Sequence, residues 1–223
     1  MSGQRGGGAT PDDGLELRTL GPGDLADVAA LHVVVFRDSV LSELGPEAVR
    51  RYYRWQLTGP HDVEAFGLFA GDDLVGFLVG GRFRGSMIGF IKRETPFLAR
   101  CVLRHPTLVI GARGRSALRT GIRLLVRPAE PTVVERPERV PDKSFGVLSV
   151  AIDPSVQRSG MGSLLLDEAD RRAAAMGMER LHLTLDPQNW GAAEFYRGQG
   201  WRRLGLPGDT DHQWLMGKEL PDR

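Results

Sequence analysis

Six residues, Gln157-Arg158-Ser159-Gly160-Met161-Gly162, stand between an apolar, β-branched run at 145–152 and a stretch whose Leu164, Leu165, Ala169, Ala173 and Met176 recur at helical spacing. Asp153-Pro154 ends the run, since proline brings no ladder donor. The predicted order is strand, short glycine-containing loop, amphipathic helix. Glycines at 160 and 162 let backbone N–H groups come close to a ligand, and a helix start adds unpaired donors and the positive end of its dipole. Such a loop cradles an anion, and phosphate is the anion it suits best. No lysine follows Gly162, as a Walker loop requires, and position 165 is Leu where a dinucleotide fingerprint carries its third glycine.

The second stretch able to do chemistry is 181–204. Leu181, Leu183 and Leu185 alternate as a strand with one buried face, and Asn189 can cap a helix carrying Ala192, Ala193, Phe195 and Tyr196. Gly198 and Gly200 end that helix before Trp201 opens another strand. The two stretches, Q-x-x-G-x-G after a strand and Asn-x-x-Ala-x-x-x-Tyr before Gly-aromatic, stand in an order that resembles the GNAT N-acetyltransferase superfamily. Trp201 replaces the phenylalanine of that family's motif. The resemblance covers residues 145–220; the first 140 residues carry it only as a compatible order of elements.

The resemblance implies an α/β fold: a mixed, mostly antiparallel twisted sheet of about seven strands, flanked by helices and splayed at its two central parallel strands. It implies acetyl-CoA as cofactor, with the pantetheine arm entering the splay and meeting the backbone of Val150, Ala151 and Ile152. The loop residues Gln157, Arg158, Ser159, Gly160, Met161, Gly162 and Ser163 would hold the pyrophosphate, Arg158 adding a charge-assisted contact. Asn189, Ala192 and Tyr196 would line the rest of the cofactor site. The Val150 amide is implied as the contact to the developing oxyanion, an interaction typically worth about 3 kcal/mol per donor. Tyr196 is implied as general acid, since a phenol near 10 can protonate a thiolate whose ordinary pKa is about 8.5.

Plainer roles stay open for the same residues. Tyr196 can close its helix against Trp201, and Asn189 can be a helix cap. The base that frees the amine of its proton has several candidates: Asp38, Asp186, His182 and an ordered water. Asp186 precedes Pro187 and suits a turn, while His182 alternates with Leu181 and Leu183 and so belongs on the opposite sheet face.

The elements that must position these groups begin after a Gly-rich, polar leader at 1–13 that has no apolar signal-peptide core. Residues 14–220 read as one domain. Leu15 to Leu20 alternate as an edge strand, Asp24 caps a helix that carries Leu25, Val28, Ala29, Leu31, His32 and Phe36, residues 37–44 interrupt as irregular chain, and a second helix covers 46–57 with proline in its first turn. Runs at 63–70 and 74–82 around Gly-Asp-Asp form a hairpin. Cys101 is the only cysteine, which excludes an intrachain disulfide and a thiolate metal cluster and fits a reducing, cytoplasmic setting. No metal is implied.

Residues 83–142 form a basic helical insertion with a proline-rich return. From Arg82 to Arg127 there are eleven basic residues and one acid, Glu94, a net +10, while the whole chain is +1 and the remainder therefore −9. Apolar residues interleave with the arginines as in two amphipathic helices divided near His105-Pro106 or at 111–114. Three uses of the insertion compete: a cap on the core or on a second subunit of a homodimer, a patch for a phosphate-bearing acceptor, and peripheral contact of 83–127 with an anionic inner membrane surface. No apolar run has the length of a spanning helix, and no module points to nucleic acid. The activity the resemblance implies is transfer of an acetyl group to a primary amine of a small molecule, an amino sugar or nucleotide-linked amino sugar, by direct attack in a ternary complex. A protein or peptide N-acetyltransferase and a non-catalytic acyl-CoA-binding module remain the alternatives.

Overall fold

Near-continuous apolar runs on both sides of Gly71, whose φ of +63° makes the turn, produce the hairpin of β2 (Asp62–Ala70) and β3 (Asp73–Arg82), buried on both faces. The computed structural model describes residues 14–83, 86–104, 141–205 and 213–221. Around the hairpin it places β1 (Leu15–Thr19), α1 (Leu25–Val35), α2 (Val40–Glu43), α3 (Pro46–Thr58) and α4 (Ser86–Arg104). Then follow β4 (Ser144–Ile152), α5 (Met161–Ala175), β5 (Arg180–Leu185), α6 (Trp190–Gly198), β6 (Arg202–Arg203) and β7 (Trp214–Glu219). Strand order is β1-β2-β3-β4-β5-β7-β6, antiparallel throughout except for the parallel pair β4–β5. The α/β class, the mixed sheet and the edge position of β1 match the expectation from sequence.

Two cores lie on the two faces of this sheet. On one, Met161, Leu165, Leu166, Ala169 and Ala173 of α5 and Ala193 of α6 meet Phe145, Leu181, Leu183 and Met216. On the other, Leu25, Val28 and Leu31 of α1, Tyr52 and Tyr53 of α3 and Phe90 of α4 cover Phe69, Phe77, Val79 and Ala151. Burying the fully enclosed Phe66, Phe77, Phe145 and Tyr53 contributes about 2 kcal/mol or more each. Buried Glu168 is held by Arg171 and Arg172, and Arg172 also reaches Glu64 of β2 and Thr19 of β1, which fastens α5 to the far edge of the sheet.

Local departures from the sequence expectation have identifiable causes. Asp24 does not cap α1; its carboxylate turns back to accept from the Gly21 N–H at 2.7 Å. The stretch 37–44, expected to be irregular, contains the single turn α2, started by Ser39 Oγ accepting from the Ser42 N–H. The first basic helix of the insertion is α4, docked by the edge of Phe90 on Tyr52 (5.2 Å between ring centres) and by the Arg51–Glu94 ion pair at 2.7 Å. Within it Pro96 removes the donor for the Lys92 carbonyl, and the Thr95 hydroxyl donates there at 3.3 Å and to Ile91 O at 2.6 Å. The expected second helix, the return linker and the leader lie outside the described residues. Among the described residues, no helix is long and apolar enough to cross a membrane.

Candidate active site

The parallel pair β4–β5 is joined for three residues only: Ser144 beside Arg180, Phe145 beside Leu181, Gly146 beside His182. β4 then continues to Ile152 along β3, while β5 continues to Leu185 along β7. The two strands diverge from Gly146 onwards, and a wedge opens between them towards their C-terminal ends. A bulge drives part of this divergence, because Gly80 lies opposite Val147 and Val79 opposite Ser149, leaving Leu148 without a partner on β3.

Which β4 groups face the wedge follows from antiparallel alternation. Asp153 donates its N–H to Val75 O of β3 at 2.8 Å, so Ala151 and Ser149 also point their amides to β3. Val150 and Ile152 therefore present N–H and C=O to the opening. Ala151, expected among the cofactor contacts, does not: its amide serves β3 and its methyl lies in the α1–α3 core. Gln157 reaches back to the same edge, donating Nε2 to Ile152 O at 3.1 Å.

The loop after β4 is a row of free donors. A 3-10 turn at Pro154–Val156, held by Asp153 accepting from the Ser155 N–H and hydroxyl, leads into Arg158 at φ +64° and Gly160 at φ +89°. Among the described residues the N–H groups of Arg158, Ser159, Gly160, Met161 and Gly162 have no hydrogen-bond partner, whereas that of Ser163 donates to Gly160 O at 3.0 Å. Five successive unpaired amides at the start of α5, with the exposed Arg158 side chain beside them, fit a diphosphate. The two glycines serve different ends. Gly160 has open space where a Cβ would stand, so its positive φ is what demands glycine; a Cβ on Gly162 would lie 2.9 Å from Phe195 Cζ, so its absence lets α6 pack on the first turn of α5.

α6 is fixed against that turn by Gln199 Nε2 donating to Ser163 Oγ at 2.9 Å and starts where Asn189 Oδ1 accepts from the Ala192 N–H at 3.1 Å. The cap role of Asn189 is thus realised. Tyr196 rests against Trp201 (5.5 Å between ring centres) and Phe195 (5.3 Å). Its hydroxyl has no partner among the described residues, unlike that of Tyr53, which joins His32 Nδ1 at 2.9 Å and Ser149 Oγ at 3.0 Å. Burial pushes the Tyr196 hydroxyl up to about 12, so it is protonated at neutral pH.

The candidate bases separate clearly. Asp38 is exposed in the turn after α1, and Asp186 accepts from the Gln188 N–H at 2.9 Å as a turn residue does. His182 stands at the last rung before the strands part, on the sheet face opposite Leu181 and Leu183, with Ser144 Oγ at 2.7 Å from Nδ1. Neither the Ser144–His182 pair nor the Tyr53–His32–Ser149 chain is signalled by sequence, because 38 residues separate the first pair and 96 separate Tyr53 from Ser149.

A seven-stranded sheet with a parallel pair that parts after three residues, a donor loop at the mouth and a free tyrosine hydroxyl define an acyl-transfer fold. Residues 122–201 match the model of the acetyltransferase (GNAT) family, and this match indicates an acyltransferase. Solved structures share the fold at low identity. The PaiA N-acetyltransferase of Thermoplasma acidophilum, solved with coenzyme A, is 13% identical with a TM-score of 0.56 over 92% of this chain and 98% of its own. The ribosomal-protein-S18-alanine N-acetyltransferase of Escherichia coli is 13% identical with a TM-score of 0.54 over 94% and 96%. An acetyltransferase of Thermus thermophilus is 18% identical with a TM-score of 0.54 over 93% and 97%. No curated protein matches the chain in sequence.

Proposed function

We propose that the chain moves an acetyl group from acetyl-CoA to the primary amine of a small, phosphate-bearing acceptor, of which an amino sugar or its nucleotide-linked form is the best-fitting class. Acetyl-CoA supplies an activated acetyl carbonyl, and the row of unpaired amides from Arg158 to Gly162 is the observation that carries the assignment. Those amides and the Arg158 guanidinium would hold the diphosphate, while Val150 and Ile152 would bond the pantetheine arm along the wedge as an added strand does. The Val150 N–H would polarise the acetyl carbonyl, and Asn189 and Ala192 would flank the arm.

Tyr196 would donate a hydrogen bond to the departing sulfur. With its hydroxyl near 12 and a thiol near 8.5, full transfer to a solvated thiolate runs uphill by about 5 kcal/mol, so the hydroxyl acts by stabilising charge as it develops. The amine's proton has two candidate destinations on the α1 face, the exposed carboxylate of Asp38 and the imidazole of His182.

Support for an anionic acceptor comes from α4, whose Lys92, Arg93, Arg100 and Arg104 are exposed. A cationic peptide amine would be repelled by that face. The test is thiol release from acetyl-CoA over a panel of amino sugar phosphates, polyamines and peptides, run on the wild type and on Arg93→Glu with Arg100→Glu. Turnover restricted to phosphate-bearing amines, and weakened in KM by the charge reversal, supports the proposal. Preference for peptides sinks the acceptor class; acetyl-CoA binding with no turnover makes the chain a binding module; co-sedimentation of the wild type but not the variant with anionic vesicles reassigns the basic face to a membrane.

A further inference from the structure

Gly146 and His182 are the last residues joined before the wedge opens, and the imidazole leans from β5 across β4 at that point. A Cβ on Gly146 would lie 3.1 Å from His182 Cε1 and 3.2 Å from Nε2, so glycine at 146 is what admits the ring. Nδ1 faces back along β4 to Ser144 Oγ, itself 8% exposed, which leaves Nε2 on the opposite edge of the ring. Nε2 has no protein partner among the described residues and is not one of the buried orphaned atoms, so it opens to solvent. The other charged groups on this face nearby are Arg180, two residues earlier on β5, and Arg202 of β6, which shares the Gly217 rung with His182; both pair with Glu219 of β7, at 3.4 Å and 3.8 Å.

Resting on the acetyltransferase function above, we infer that His182 is the catalytic base at the apex of the wedge, with Ser144 as the positioning residue that fixes its tautomer. Nδ1–H donates to Ser144 Oγ, and the Nε2 lone pair reaches the acceptor nitrogen, coming from the α1 face, through one bridging water that spans the stretch of β4 between Gly146 and Val150. As the neutral amine nitrogen bonds to the acetyl carbon, the carbon–sulfur bond breaks, one N–H proton passes through the bridging water to Nε2, and the thiolate leaves hydrogen-bonded to the Tyr196 hydroxyl. The proton on His182 passes through solvent to the thiolate, so an amide and a thiol leave with both residues restored; an amine entering as ammonium first gives its extra proton to water. Burial lowers His182 to about 4, which keeps the ring neutral and Nε2 available at pH 7. So weak a base acts only once bonding to the carbonyl carbon has made the N–H acidic, and it then hands the proton on readily.

The test uses two readouts on the full chain. Nitrogen-15 spectra of histidine-labelled protein, assigned with His182→Gln, are expected to show Nδ1 protonated and Nε2 bare at pH 7, with Nε2 shifting when acetyl-CoA saturates the protein. An Nε2–H tautomer, or an Nε2 indifferent to acetyl-CoA, overturns the inference. Thiol release with the best amine of the panel is expected to fall about 10²-fold or more in kcat for His182→Gln, with acetyl-CoA affinity from calorimetry within about threefold of wild type. Ser144→Ala is expected to mix the two tautomers in the spectra and to lower kcat less, and Ser144→Thr to restore both. Turnover that survives His182→Gln, or a loss confined to Asp38→Asn, overturns this inference alone. Wild-type protein that binds acetyl-CoA and acetylates no amine removes the acetyltransferase function first and this inference with it.

Discussion

Replacing Gly160 and Gly162 by alanine separates two reasons for glycine within one loop. At Gly160 a methyl group meets nothing within 4 Å, and the whole cost lies in holding an L-residue at φ +89°. That cost is about 1–2 kcal/mol. If the loop keeps its shape, the cost appears as lost stability; if it relaxes, the five amides fall out of line and acetyl-CoA affinity drops by a factor of about 5–30. Gly160→Asn is milder, because asparagine tolerates positive φ. At Gly162 the φ is ordinary, and the cost is a methyl group driven to 2.9 Å from the Phe195 ring, which must shift α6 or its own rotamer for about 1–3 kcal/mol. Phe195→Leu makes room, so it should rescue Gly162→Ala and leave Gly160→Ala unaided. Urea unfolding and calorimetric titration of acetyl-CoA on the two singles and the two doubles read both quantities. Equal rescue of both alanine variants, or alanine at 160 without effect on either quantity, refutes the division of roles.

Tyr196→Phe keeps the ring packed on Trp201 and removes only the unpartnered hydroxyl; kcat should fall about 10²-fold with acetyl-CoA affinity nearly unchanged, and an undiminished kcat would count against the acid role. Because that hydroxyl lies near 12, the wild-type rate should show no tyrosine-dependent fall between about pH 8 and 10. His32 and His182 are both lowered by burial from 6.5 to about 4, so between those values the unfolded chain binds protons that the folded chain does not. Stability is therefore lost as pH falls through that window, by at most about 3 kcal/mol per histidine before allowance for solvent; urea midpoints should drop more for wild type than for His32→Asn with His182→Asn, and parallel curves would contradict this. Gln56 is wholly buried in α3 with neither amide atom bonded, so Gln56→Met should raise stability by about 1–2 kcal/mol in the same assay, and a loss would show that a water serves the amide.

Local signals made part of this site legible in the sequence. Asn189 three residues before the Ala192 N–H it caps, and the strand–loop–helix around Gly160, are decided by nearest neighbours and stand where the periodicity puts them. Alternation also set His182 apart from Leu181 and Leu183. What sequence could not reveal depends on contacts across the chain. The separation of β4 from β5 after Gly146 rests on register and on the Leu148 bulge, and the role of Gly162 rests on Phe195. Ala151 differs from its neighbours for the same reason: consecutive strand residues turn their amides to opposite sides, and the Asp153–Val75 bond fixes which side faces the wedge.

If the unpaired amides between Arg158 and Gly162 hold a diphosphate, a ligand without one must bind more weakly. Calorimetric titration of the wild type with acetyl-CoA and with S-acetylpantetheine, which shares the thioester arm and lacks the diphosphate, tests this directly. One-to-one binding of acetyl-CoA, with S-acetylpantetheine at least about tenfold weaker, is the expected result. Equal affinity for the two, or no uptake of acetyl-CoA by folded protein, would contradict it.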